Sequence, residues 1–270
     1  MKAVTQTLVT FHAHPDDEAI ATGGAIAQAA KAGWRVVLVL ATRGEHGEVD
    51  EGFLSPGETL GERREQETAA AAEILGIERV AYLGYLDSGM EGTPENDAPG
   101  SFWSAEIEDA AARLATILRD EDAVVLTIYD DNGVYGHPDH IQVHRVGVRA
   151  AELAQTPRVY EATINSDAIR EVMKARLEDA RAAGIEPPGD IGDPDEFQIG
   201  VPASRVTTTV DVREFIDVKR TALAAHASQV DETSFFLAMP LDAFREVFGV
   251  EWFIRRGAPP GTQEDSLIDA

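Results

Sequence analysis

The 270-residue chain contains no cysteine. Disulfides, thiolate nucleophiles, cysteine-ligated zinc and iron–sulfur clusters are therefore excluded together, and any metal site must use histidine and carboxylate. Positive charge is scarce. Lys+Arg number 23 against 48 Asp+Glu, a formal net charge of −25, and lysine occurs only as Lys2, Lys31, Lys174 and Lys219. Duplex nucleic acid and anionic membrane both require a basic footprint, so neither is expected as a partner. An anionic small molecule stays open, because one local arginine can override the mean field. Long apolar runs are lacking too: none reaches the roughly 20 residues needed to cross a bilayer. The opening MKAVTQTLVTFHAH, with one lysine and with His12 and His14 breaking its apolar stretch, does not read as a signal peptide. The expected compartment is the cytoplasm. What remains is an ordinary globular composition, 44% hydrophobic and 26% charged, in a chain long enough to bury a sizeable core.

Apolar runs at 7–13 (TLVTFHA), 35–41 (RVVLVLA), 79–83 (RVAYL) and 123–128 (AVVLTI) read as strands. Between and after them, 18–32, 60–75, 104–119 and 139–154 read as helices. Continuous apolar strands alternating with helices predict an α/β fold. It is a doubly wound, mostly parallel, Rossmann-like sheet with helices on both faces and a C-terminal extension. The later chain predicts a helix over 166–183, a Pro- and Gly-rich loop or lid over 184–204, a strand over 205–210 and a helix over 213–227. Residues 1–256 are expected to form one domain, with a core over 1–165 and a substrate-covering part over 166–256. The tail 257–270 is expected to be flexible.

Two clusters carry chemistry. AHPDDE (13–18) lies where the first strand meets its helix, and GHPDH (136–140) follows the fourth strand. In an open parallel sheet ligands bind outside the carboxyl ends of the strands, so both clusters open on one edge. Each has a bland alternative. Asp16 or Asp17 could simply cap a helix, and His137 and His140 could be surface loop histidines. Two matching clusters in a chain with seven histidines favour a shared site. His144, one turn beyond His140, is read as structural. No G-x-G-x-x-G follows the first strand, which argues against a dinucleotide loop.

Together, AHPDDE and GHPDH resemble the motif pair of the LmbE-like, or PIG-L, zinc deacetylase superfamily. ERREQETAAAAEILGI (62–77), YLGYLDSGMEGTP (82–94), YDDNGVYGHPDH (129–140) and AHASQ (225–229) are similar to its mycothiol-pathway members. Those are the N-acetylglucosaminyl-inositol deacetylase and the mycothiol-conjugate amidase. The resemblance implies that His14, Asp17 and His140 ligate zinc, with iron(II) as a substitute in reducing conditions. It implies that Asp16 is the general base, that His137 stabilises the oxyanion or acts as acid, and that Asp139 fixes a histidine tautomer. It further implies that Tyr135 helps polarise the carbonyl, that Arg64 and Asp87 hold substrate, and that Arg43 and Glu48 belong to the site wall. For Arg64 the alternative is a surface pair with Glu67. For Asp87 it is a turn before Ser88 and Gly89.

The expected function is zinc-dependent hydrolysis of a C–N amide bond, foremost N-deacetylation of a soluble N-acetylglucosamine-type substrate. A conjugate amidase or a secondary-metabolite deacetylase is the alternative within enzymes. A non-catalytic metal- or sugar-binding module is the alternative from another class, and a homo-oligomer is compatible with everything above. The absence of a basic amphipathic stretch argues against a membrane glycolipid substrate.

Overall fold

A computed structural model describes residues 5–182, 194 and 199–269. Most of the expected 184–204 lid lies outside the described residues. The order of elements is β1 (Thr7–His12), α1 (Asp17–Ala21), α2 (Gly23–Lys31), β2 (Arg35–Leu40), α3 (Leu60–Leu75), β3 (Arg79–Tyr82), α4 (Ile107–Asp120), β4 (Ala123–Tyr129), α5 (Gly133–Gly136) and α6 (Pro138–Ala154). Then come β5 (Arg158–Thr163), α7 (Ser166–Ala182), β6 (Thr208–Asp211), α8 (Ile216–Ala224), α9 (Phe235–Ala238), α10 (Leu241–Phe248) and β7 (Val250–Arg255).

The seven strands form one sheet in the order β3-β2-β1-β4-β5-β7-β6. The first five are mutually parallel, and β7 runs antiparallel to both of its neighbours. Strand periodicity divides the core in two. Leu8, Val36, Leu38 and Leu40 face one layer, with α2, α3 and α8. Val9, Phe11, Val37 and Val39 face the other, with α4 and α6. Burial on both faces explains why the central strands read as continuous apolar runs. Among the described residues, no helix is long and apolar enough to cross a membrane.

Three expectations change. The Ala-rich helix over 18–32 is two helices that break at Thr22, whose hydroxyl lies 2.9 Å from His12 Nε2. Gly24 then lies against Val212, and a Cβ there would come within 2.3 Å of the valine. The tail from Gly257 to Asp269 packs back on the domain. Glu264 bridges Thr208, Arg255 pairs with Glu264, and Leu267 is buried. The strand expected over 205–210 begins at Thr208, after a short 3₁₀ turn at Ala203–Arg205.

The order of strands reverses between β1 and β4. Residues 13–17 leave β1 and residues 130–140 leave β4 at the same sheet edge, so the topology places both motifs beside this switch point.

Candidate metal centre

His14, Asp17 and His140 are buried, and one ligand atom from each lies within 4.8 Å of the others. His14 Nδ1 is 3.5 Å from Asp17 Oδ2, and His140 Nε2 is 3.4 Å from Asp17 Oδ1. Neither ring nitrogen of His140 has a hydrogen-bond partner, although both are fully shielded. A buried polar atom without a partner is costly, and a metal ion between Asp17 and His14 would satisfy Nε2. A second trio, His14, His137 and Asp139, is equally close. There only Asp139 Oδ1 is buried without a partner: His137 Nδ1 accepts the Asp139 N–H, and Asp139 Oδ2 accepts Ser88 N–H and His14 Nε2–H. The first trio is therefore the better metal cradle.

The rotation of the His14 ring follows from its partners. Nε2–H donates to Asp139 at 3.1 Å, which leaves the Nδ1 lone pair facing Asp17. Burial works against charge on this imidazole, but Asp139, Asp17 and Asp87 outweigh it and raise His14 well above its ordinary value. A proton or a metal cation answers the same field. Asp17 is held well below the usual carboxylate range: burial opposes, and His140 and His14 prevail.

Asp16 stands outside the trio. Its backbone has φ 92°, a left-handed conformation rare for a side-chain-bearing residue. Its N–H donates to Glu18 Oε2 at 3.0 Å, and Glu18 Oε1 accepts from His226 Nε2 at 2.7 Å. Burial pushes the Asp16 carboxyl up to about 6, and Arg64 restrains the rise. His137 caps α6 by accepting the Asp139 N–H on Nδ1, so in the neutral ring the proton sits on Nε2. Burial, helped by His14 and His140, pushes His137 down to about 4, which keeps it neutral at physiological pH. Tyr135 is half exposed, 5.0 Å from the His140 ring centre; burial of its phenol and nearby Asp17 raise it, so it remains an O–H donor.

The two residues expected to hold substrate turn inward. Arg64 is 4% exposed; its guanidinium donates to Gly44 O (2.9 Å), Pro15 O (2.5 Å) and Asp16 Oδ2 (3.1 Å). The surface pair with Glu67 does not form either, because Glu67 accepts from Ser228 N–H and hydroxyl. Asp87 is 5% exposed and forms the turn through Gly89 N–H at 2.8 Å, while His46 N–H binds its other oxygen. Asp87 Oδ1 also reaches His14 Nε2 at 3.5 Å. Arg43 pairs with Glu65 on α3, and Glu48 offers its carbonyl to Gln229.

Sequence reasoning missed Glu18 and Asp130. Asp130 accepts Asn132 and Val134 N–H on one oxygen and the Thr163 hydroxyl on the other, which pins the turn before the second motif. That turn holds Val134 at φ 68°, a strained conformation for a β-branched residue. Gly133, also left-handed, packs on His140, where a Cβ would meet the histidine Cβ at 2.6 Å. His12 and His144 are structural: His12 bonds Tyr129 hydroxyl, and His144 bonds Tyr129 carbonyl.

The chain is similar to known proteins. A family model described as "PIG-L: GlcNAc-PI de-N-acetylase" matches residues 9–151, more than half of the chain. A 1D-myo-inositol 2-acetamido-2-deoxy-alpha-D-glucopyranoside deacetylase of Acidothermus cellulolyticus is 40% identical over 265 residues, covering 93% of this chain and 89% of its own. The namesake protein of Thermobispora bispora is 40% identical, covering 93% and 88%. Among solved structures, an N,N'-diacetylchitobiose deacetylase from Pyrococcus horikoshii is similar in fold, with TM-score 0.60 at 20% identity over 95% of this chain and 84% of that one.

Proposed function

Because the chain belongs to the PIG-L, or GlcNAc-PI de-N-acetylase, family, we propose that it is a metal-dependent hydrolase that removes the N-acetyl group from a small glucosamine-type substrate. His14, Asp17 and His140 would hold the metal, zinc or iron(II). Two histidines and a carboxylate are a donor set that would suit either ion. When bound, the ion supplies Lewis acidity, which polarises an amide carbonyl and makes water a better nucleophile.

The chain's own groups do the rest. Asp16 is ionised at neutral pH yet basic enough to take a proton from the attacking water. The same carboxyl returns that proton to the departing amine as the C–N bond breaks. His137, with its proton on Nε2, donates to the oxygen on which negative charge develops, and its neutrality avoids repulsion with the cation. The Tyr135 hydroxyl is a second donor on that side. Asp139 keeps His14 in the tautomer that presents Nδ1. Arg64, Glu18 and His226 hold Asp16 in its strained backbone conformation.

The observation that carries this reading is buried His140, unpartnered at both nitrogens, facing His14 and Asp17, with basic Asp16 held beside the trio. A non-catalytic binding module has no use for that extra carboxylate. Amine release from N-acetylglucosaminyl inositol and N-acetylglucosamine, with zinc and then with chelator, tests it. Chelator-sensitive release is expected. No release from either amide by zinc-loaded protein would contradict it.

A further inference from the structure

A cavity of about 510 Å³ opens directly beside the proposed metal site, and two of the metal-binding residues, Asp17 and His140, form part of its wall. Its volume lies within the roughly 300–1,000 Å³ of small-molecule sites and far exceeds what one methyl group fills. The remaining wall is strongly apolar. Ile20 and Ala21 come from α1, Ile164 and Ile169 from around the start of α7, Phe236 from α9 and Trp252 from β7.

Apart from the metal-site residues and the Tyr135 hydroxyl, the polar groups in this wall are already engaged. Lys219 Nζ donates to Glu251 Oε1 at 2.7 Å, and Glu251 also accepts the Gly24 and Ala25 N–H groups at the start of α2. The Thr163 hydroxyl donates to Asp130. A sugar ring placed here would bury hydroxyls against groups that cannot answer them, at a cost for each. Around His14, which does not line the cavity, the surroundings differ: Asp87 reaches it and in turn bonds the Glu45–His46 turn, and neither these residues nor Asp16 line the cavity. The trio thus separates a polar wall from an apolar chamber, and a scissile amide placed between them has its sugar on the first and its acyl carbon chain in the second.

We propose that this cavity binds the acyl chain of the substrate amide and accepts apolar acyl groups several carbons longer than acetyl. The proposal rests on the hydrolase reading above and extends it to the acyl side. The balance is that of ordinary hydrolysis. Water adds its oxygen to the carbonyl carbon, the C–N bond breaks, the amine takes up a proton, and the chain leaves as a carboxylate.

The test pairs binding with turnover. N-acetyl-, N-butanoyl- and N-hexanoyl-glucosamine are titrated by calorimetry into zinc-loaded Asp16→Asn protein, and amine release is measured with the zinc-loaded unmodified protein. Each buried methylene tightens binding by up to about fourfold. Hexanoyl should therefore bind on the order of tenfold or more tighter than acetyl, and kcat/KM should rise in the same order. Ala21→Phe and Ile169→Trp, on two different elements, fill the chamber, and each should bring the hexanoyl-to-acetyl binding ratio back toward one. Binding that is flat or weakens with chain length, or a gain that both filling variants leave intact, would overturn the proposal. Tighter binding of the longer chains, abolished by the fillers but without amine release from any of the three amides, speaks against the hydrolase reading and upholds the chain-binding cavity.

Discussion

The guanidinium of Arg64 lies 3.1 Å from the carboxylate of Asp16 and, through the same nitrogen, also binds the carbonyl of Pro15. One buried side chain thus fixes both the position and the acidity of the proposed base. Burial raises Asp16 to about 6, and the positive charge of Arg64 keeps it from rising further.

A pH dependence with a definite sign follows. Asp16 must be ionised to accept a proton, so kcat/KM should be present above about 6 and fall as pH drops through that value. Arg64→Ala removes the group that lowers this acidity, so the acid limb should move to higher pH. Its kcat should fall on the order of 10- to 100-fold, as for a displaced catalytic group, with a smaller change in KM. Full pH–rate profiles of the two proteins check this. A variant changed in KM alone, with an unmoved acid limb, would make Arg64 a substrate contact.

His137 gives a second expectation. Because its Nδ1 caps α6 and Nε2 carries the proton, His137→Ala should lower kcat by about 10²–10³, the usual effect of losing one oxyanion donor. Metal content should not change, since the metal trio does not include it. Stopped assays with metal analysis of the same samples measure both, and loss of metal would favour the alternative trio with Asp139.

A third expectation concerns stability. Lys219 is 2% exposed and neutralises Glu251, which caps α2 from β7. Lys219→Ala leaves a buried carboxylate without its cation, a loss of about 3–5 kcal/mol. Denaturant unfolding of metal-free protein should report it. A loss below about 1 kcal/mol would mean that the pair behaves like an exposed one.

The central β-α alternation was legible because β1, β2 and β4 are covered on both faces and read as unbroken apolar runs. Strand β5 was not, since Arg158, Glu161 and Thr163 interrupt the pattern although every residue of the strand is buried. Their polarity is answered at a distance, with Glu161 pairing to Arg256 and Arg158 reaching Leu267 O. The two motifs announced the chemistry of the site by residue type. Direction was invisible: only the folded chain turns Arg64 toward Asp16 and Asp87 toward His14. The role of AHASQ was equally hidden, because Glu18–His226 and Glu67–Ser228 join positions 208 and 161 residues apart.

The sharpest division in the site is between the adjacent carboxylates Asp16 and Asp17, and metal stoichiometry measured alongside turnover in Asp16→Asn and Asp17→Asn probes it most directly. Asparagine tolerates the left-handed backbone of position 16, so the first substitution changes charge rather than shape. Asp16→Asn should keep about one metal ion per chain, as expected of three intact ligands, and lose on the order of 10²-fold or more in turnover. Asp17→Asn should lose the metal. An Asp16→Asn protein that is empty of metal, or that turns over at the unmodified rate, would contradict the account.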